Sequence, residues 1–262
     1  MSEQATLVMR LAGPLQSWGT TSQFNRRATS DRPSKSGVIG LLAAAQGRRR
    51  GDDLTDLIEL ELGVRVDQPG TIMYDFHTVS TLDGAPLPSA KVNARGLQLP
   101  TGPKKMTHVS RRAYLQDAIF VAAIDGPRKL VDALRVAIQN PRFPLALGRR
   151  SCPPSQPIVL AGDDGDMWAG TVWEVLHGVP WQAAQHVRSR AAVGDTVSVS
   201  VTVDDPMGDE VSNDLPTTFL PQQREFRARR VRHGWIELPT GKVAADREGK
   251  AVRHDPFALL GW

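Results

Sequence analysis

The sequence predicts an α+β fold: a ferredoxin-like palm at residues 1–160, a protruding hairpin inserted at about 80–110, and a smaller β-rich C-terminal part at 161–262. Three observations carry this. The first 160 residues run strand, helix, strand and then strand, helix, strand, the split βαβ order. All apolar period is lost between residues 80 and 110. Beyond Gly162 the segments that remain readable are strands.

Ala5–Leu11 (ATLVMRL) is a short apolar run rich in strand formers, stopped by Gly13-Pro14. The stretch 13–33 holds two aromatics, three arginines and several hydroxyls, and predicts a long loop. A helix starts near Pro33, where Pro and Ser favour a first turn, and GVIGLLAAAQG carries it to Gly47. In Asp52–Leu62, leucines at 54, 57 and 60 with Ile58 form a helical stripe with acids early. Val64–Val66 and Thr71–Val79 are expected strands. Residues 80–110 are rich in Gly, Pro, Ser, Lys and Asn, which predicts a hairpin with a mobile tip, flanked by HTVS and THVSRR. Ala113–Ile124 is the expected central strand, and Pro127–Asn140 an amphipathic helix with Leu130, Leu134 and Ile138 on one face. PRFPLALGRRSCPPSQP precedes a strand at Ile158–Leu160. Thr196–Val203 and Arg229–Leu238 are further strands, and 240–262 a weakly structured tail.

Composition excludes several classes. Hydrophobic residues at 40% and charged residues at 23% are near the globular average, against wholesale disorder. One cysteine, Cys152, rules out an internal disulfide framework and any multi-cysteine zinc site. There is no signal-peptide pattern at the N-terminus and no apolar window of membrane-spanning length, so a soluble cytoplasmic protein is expected.

The net charge is only +4 but is segregated. Residues 1–50 carry eight Lys/Arg against two Asp/Glu, and residues 103–156 carry ten against three. Residues 51–102 and 157–222 are acidic, with three against eight and two against ten. Separated basic blocks can fold into one positive surface facing a polyanion, although most charge runs are only solvated faces.

No Gly-Lys-Ser/Thr phosphate loop, HExxH or Gly-x-Ser-x-Gly is present, and the six histidines suit no single-element metal site. Cys152 is expected to be a small buried side chain. Tyr74, His77 and His108 are the acid/base candidates for metal-free RNA cleavage. Odd spacing in YDFH places Tyr74 and His77 on opposite faces of a strand, which argues against joint action. No catalytic residue, metal or cofactor is assigned. The basic constellations are the better signal: Arg26-Arg27, Lys35-Ser36, Lys104-Lys105, Arg111-Arg112 and Arg149-Arg150-Ser151 all fall in loops or at element ends, where they can grip phosphates. Lys35 and Ser36 open a helix, whose free N–H groups favour anions. Arg48-Arg49-Arg50 trails a helix end and is taken as dipole compensation. Trp18 and Phe24 suit base stacking or loop anchoring, and His77 packing, stacking or hydrogen bonding.

RLAGPLQSWG, RPSKSGVIGLLAAAQG, DFHTV, SRRAYLQDA and FPLALGRRSCPP, in this order across residues 7–154, together resemble the CasD subunits of type I-E CRISPR Cascade complexes. The resemblance implies a repeat-associated RNA-binding fold, a ferredoxin-like (RNA-recognition-type) palm with a thumb hairpin. It implies a subunit that holds the 5′ handle of the CRISPR RNA without cutting it. The subunit would cap the filament of backbone subunits, touch the large subunit, and meet target DNA only through the assembled complex. Carried over by position, handle contacts fall on Gly13, Pro14, Gln16 and Trp18 of the first loop, on Lys35 and Ser36, and on Arg149, Arg150 and Ser151. The remaining RNA contacts are expected from Arg26, Arg27, His77, Lys104, Lys105, Arg111 and Arg112. The alternative is a metal-independent CRISPR repeat endoribonuclease using His77 or His108.

Overall fold

The computed structural model describes residues 4–19, 26–80, 93–95, 107–162, 167–191, 196–220 and 225–241. In chain order the elements are β1 (Gln4–Ala12), β2 (Leu15–Gln16), β3 (Arg26–Arg27), α1 (Lys35–Gln46), α2 (Thr55–Ile58), β4 (Glu61–Gln68), β5 (Thr71–Ser80), β6 (Thr107–Gln116), β7 (Ile119–Pro127) and α3 (Arg128–Gln139). There follow β8 (Val159–Leu160), α4 (Val172–Gly178), α5 (Gln185–Arg190), β9 (Thr196–Asp204), β10 (Glu210–Thr218) and β11 (Glu225–Pro239).

The apolar run of β1 demands cover on both faces, and it receives it. Leu7, Met9 and Leu11 enter one buried cluster while Val8 enters a second on the opposite side. β7 repeats the pattern beside it, with Phe120, Ala122 and Ile124 on the first side and Val121 and Ala123 on the second. These two strands lie within a seven-stranded sheet ordered β10-β11-β9-β4-β7-β1-β8, every neighbouring pair antiparallel. The C-terminal strands therefore prolong the sheet that the N-terminal strands begin, through β4 paired with β9.

Helices α1 and α3 cover one face. Ser34 caps α1 by accepting from the Gly37 amide, and Gly47 ends it in the left-handed region. Val131, Leu134 and Ile138 form the buried stripe of α3, each worth on the order of 1.5–3 kcal/mol against exposure. Helix α4 covers the other face, packing Val172, Val175 and Leu176 into the cluster that contains Val199, Val201 and Val203 of β9. Arg65 and Asp67, both fully buried on β4, lock the chain after α4 to that face. The guanidinium donates to Asp67 and to the carbonyls of Leu176, Val179 and Pro180, so its charge is paired and its donors are satisfied. No helix among the described residues is long and apolar enough to cross a membrane.

A second sheet is ordered β2-β6-β3, with β5 also paired to β6. β5 and β6 form a ladder from Thr71 opposite Gln116 to Ser80 opposite Thr107. The rest of the expected hairpin, 81–92 and 96–106 with Lys104 and Lys105, lies outside the described residues, as does the expected tail from 242 onward.

Three expectations are corrected. The helix expected at Asp52–Leu62 is a single turn, Thr55–Ile58, because Glu61–Gln68 is captured as a strand by β7. The strand expected at Ala113–Ile124 is two: Asp117, at φ 56°, turns the chain out of the second sheet and into the first. The C-terminal part also contains α4 and α5, and its last strand, β11, extends from Glu225 to Pro239.

Candidate nucleic-acid interface

Basic blocks far apart in sequence meet around β6. β3 runs parallel to β6, setting Arg26 beside Arg111 and Arg27 beside Arg112 in backbone register. The Gly-Arg-Arg-Ser block forms a tight turn, with the Leu147 amide donating to the Cys152 carbonyl at 2.7 Å and the Cys152 amide donating to the Arg149 carbonyl at 2.9 Å. Gly148 sits at φ +86°, where a Cβ would lie 1.8 Å from the Ser17 carbonyl oxygen, so this turn admits only glycine.

Arg149 joins the blocks. Its guanidinium donates to the Arg27 carbonyl at 2.9 Å and to the Ala113 carbonyl at 3.2 Å, and lies 4.7 Å from the centre of the Tyr114 ring. Ser17 ties the first loop to the same place, its hydroxyl donating to the Ala113 carbonyl and its amide to the Leu147 carbonyl, both at 3.1 Å. Around this junction Arg27, Arg111, Arg150 and Ser151 are exposed, and Arg112 is half-buried. The expected cluster of Arg26, Arg27, Arg111, Arg112, Arg149, Arg150 and Ser151 is thus brought together. β6 alternates, so Arg112 shares a face with Tyr114 and Arg149 while Arg111 lies on the other, beside Tyr74; cations placed in this way can grip phosphates on either side of the strand.

Other expected contacts turn inward. Gln16 is fully buried; its side-chain amide donates to the carbonyls of Leu11 and Ala118 and its oxygen accepts from the Trp18 indole. Trp18, 1% exposed, packs against Gly37, where a Cβ would meet its ring at 2.6 Å. Gly13 is buried against Pro153, and Pro14 is exposed. The reading of Gln16 and Trp18 as contacts is corrected by this burial: they anchor the loop that Ser17 ties to Arg149.

Lys35 and Ser36 are corrected likewise. Lys35 is 6% exposed, and its ammonium donates to Asp204 at 2.6 Å and to the Leu60 carbonyl at 2.8 Å. Ser36 is buried with its hydroxyl 3.2 Å from that of Ser34. The anion at the start of α1 is the protein's own Asp214, which accepts from the Lys35 amide at 2.6 Å. Arg229 completes the group by donating to both Asp204 and Asp214. Burial works to raise the Asp214 carboxyl, but Arg229, the Lys35 amide and Ser212 outweigh it and hold the group below the ordinary carboxylate value.

His77 is half-buried on β5 with Nε2 2.5 Å from Asp75 Oδ2, whereas Tyr74 is exposed on the opposite face. The expectation that the two do not act jointly agrees with this placement. Cys152 is fully buried, and burial pushes its thiol above the ordinary value. Absent from the expected site are Tyr114, the ring under Arg149, and the exposed row Ile72, Tyr74, Phe76. That row was legible as a period of two in IMYDF.

The family model described as "CRISPR-associated protein (Cas_Cas5)" matches residues 6–232. The chain belongs to the Cas5 family. Its Cas5-family likeness extends to a curated protein, "CRISPR system Cascade subunit CasD" of Escherichia coli strain K12. The two are 34% identical over 169 residues, covering 59% of this chain and 69% of that protein. A chain of a solved "CRISPR RNA-guided surveillance complex" matches with a TM-score of 0.70 and 36% identity, covering 89% of this chain and 91% of the other. A second structure, "Crystal structure of Cas protein", matches with a TM-score of 0.62 and 36% identity, over 90% of this chain and 95% of that one. The Cas5 match thus runs past the blocks at 7–154 and takes in β9, β10 and much of β11.

Proposed function

We propose that this Cas5-family chain is a non-catalytic RNA-binding subunit of a Cascade-type surveillance complex, holding the 5′ handle of the CRISPR RNA. The observation that carries this reading is the junction at Arg149, which draws the first loop, β3, β6 and the Gly-Arg-Arg-Ser turn, with their arginines, to one place. Rigid phosphate grips of this kind hold a single strand in one shape without a reaction centre.

The strand order β4-β7-β1-β8, with α1 and α3 on one face, supports the ferredoxin-like, RNA-recognition-type palm at residues 1–160. The β5–β6 ladder supports the thumb, with Arg111 and Arg112 at its base; Lys104 and Lys105, its other basic pair in sequence, are further proposed contacts. β9, β10 and β11, within the smaller C-terminal part taken as residues 161–262, widen the palm's sheet. In this reading Pro14, Arg27, Arg150, Ser151 and His77 face the RNA, Arg26 is a further proposed contact, and Gly13, Gln16, Trp18, Lys35 and Ser36 hold the surface in place. The partners are the backbone filament subunit and the large subunit, with target DNA met only through the assembled complex. The subunit works in the cytoplasm.

Incubating the purified chain with CRISPR repeat RNA in the absence of metal tests this directly. A retarded, intact RNA band is expected. Cleavage at the repeat, lost in His77→Ala or His108→Ala, would replace the binder by the endoribonuclease.

A further inference from the structure

We propose that the open face of the β5–β6 ladder is a stacking platform for unpaired RNA bases, built from Tyr74 and Phe76 with Arg111 beside them. The proposal rests on the RNA-binding reading above and names where bases, rather than phosphates, are held.

Side chains on this face alternate along both strands. Ile72, Tyr74 and Phe76 on β5 are 59%, 52% and 67% exposed, and Val109 on β6 is 48% exposed. Register places Phe76 opposite Arg111 and Thr78 opposite Val109. From there the Arg111 guanidinium reaches diagonally to lie 3.9 Å from the centre of the Tyr74 ring. At the base of this face Ala113 and Leu115 are buried, so it is open on the β5 side and toward Val109; on the other face Tyr114 is buried, Met73 and His77 are half-buried, and Asp75 sits against His77.

Two solvent-facing aromatic rings on a two-stranded ladder leave apolar surface in water for no gain in folding. The chemistry of their surroundings selects the occupant. Every described position on this face of β5 and β6 is apolar, hydroxyl-bearing or cationic; Asp75, the carboxylate of β5, points away. A cation over the ring, Arg26-Arg27 on the adjoining strand and no acid among the described residues of the face favour a polyanion with flat apolar bases over an acidic or mixed protein surface. Residues two apart on a strand lie about 6.7 Å from one another. That is twice the roughly 3.4 Å rise of a stacked strand, so both rings can seat bases of one RNA chain.

The test uses the full chain, fluorescein-labelled single-stranded CRISPR repeat RNA, and matched RNAs carrying one abasic position each. Tyr74→Leu and Phe76→Leu should keep the wild-type melting temperature, because both rings are exposed. Each should weaken binding about tenfold while leaving the slope of log affinity against log salt unchanged, because no phosphate contact is lost. RNA abasic at the seated position should bind the wild type and the variants alike. RNA carrying 5-iodouridine there should photo-crosslink to the peptide containing residues 71–80. Wild-type affinity in both variants with no crosslink in 71–80 would overturn the platform and leave the RNA-binding reading standing. Failure of the wild type to retain any RNA would remove both. Variants that bind RNA normally but lose a co-purifying Cascade subunit would reassign the face to a protein partner.

Discussion

The backbone amide of Lys35 donates to the carboxylate of Asp214 at 2.6 Å, joining residues 179 positions apart. The first turn of α1 attracts an anion, as a helix N-terminus should, and the C-terminal part of the chain supplies it. Arg229 bridges that carboxylate to Asp204, and Asp204 holds the Lys35 ammonium. The helix behind the first loop is thereby docked on the strands that widen the sheet.

Asp214→Ala should destabilise the protein by about 3 kcal/mol, because it leaves Arg229 partly unpaired and nearly buried. The folded-state pKa of Asp214 is depressed, so its contribution is fully present above the unfolded value near 3.8 and is lost as pH falls through the folded value. Urea unfolding of both proteins from pH 7 down to pH 3 checks this. The gap between them should be constant at neutral pH and shrink on the acid side of 3.8.

Glu61 and Asp125 stand directly opposite each other on β4 and β7. Burial raises both carboxyls, and for Glu61 the charge of Asp125 adds to it. A raised carboxyl costs stability once ionised, so the cost is absent below the unfolded value and grows as pH rises through the folded one. Because Glu61 is exposed, solvent screens the pair, and Glu61→Gln should stabilise by a few tenths of a kcal/mol at pH 7. Melting temperatures at pH 7 and pH 4 should show the gain at the former and none at the latter.

Cys152 should react with a disulfide reagent only on the timescale of unfolding, since its thiol is buried and burial raises its pKa. Labelling in native buffer and in urea measures the difference. Prompt native labelling would mean that the Gly-Arg-Arg-Ser turn opens.

Gly148→Ala should cost at least about 1–3 kcal/mol, since the left-handed backbone is strained for alanine and its Cβ would strike the Ser17 carbonyl. Chemical denaturation gives the stability loss, and RNA binding should weaken with it because Arg149 and Arg150 follow this glycine.

Much of the palm was legible because its signals are local. Ser34 and Gly47 bound α1 as the sequence suggests, and Leu134 and Ile138 lie on the buried face of α3. The short helix at 55–58 was over-extended because Leu57 and Leu60 share a helical spacing, although Glu61–Gln68 is held by strand partners far away in sequence. Thr171 and Glu174 form a capping box that a sequence reader could have found ahead of α4. The site divides the same way. Arginine pairs marked the region, although Arg26-Arg27 and Arg111-Arg112 lie on strands β3 and β6 and not in loops, and nothing local distinguishes Arg150, which faces water, from Lys35, whose partners are Asp204 and the Leu60 carbonyl.

The central claim is that the arginines gathered at the Arg149 junction grip RNA phosphates, and the salt dependence of binding by Arg150→Ala tests it most directly. Arg150 is exposed beside the Arg149 junction, so its removal should leave the melting temperature unchanged. If it holds a phosphate, the magnitude of the slope of log affinity against log salt for single-stranded repeat RNA should fall by about 0.7. An unchanged slope and affinity would contradict the account.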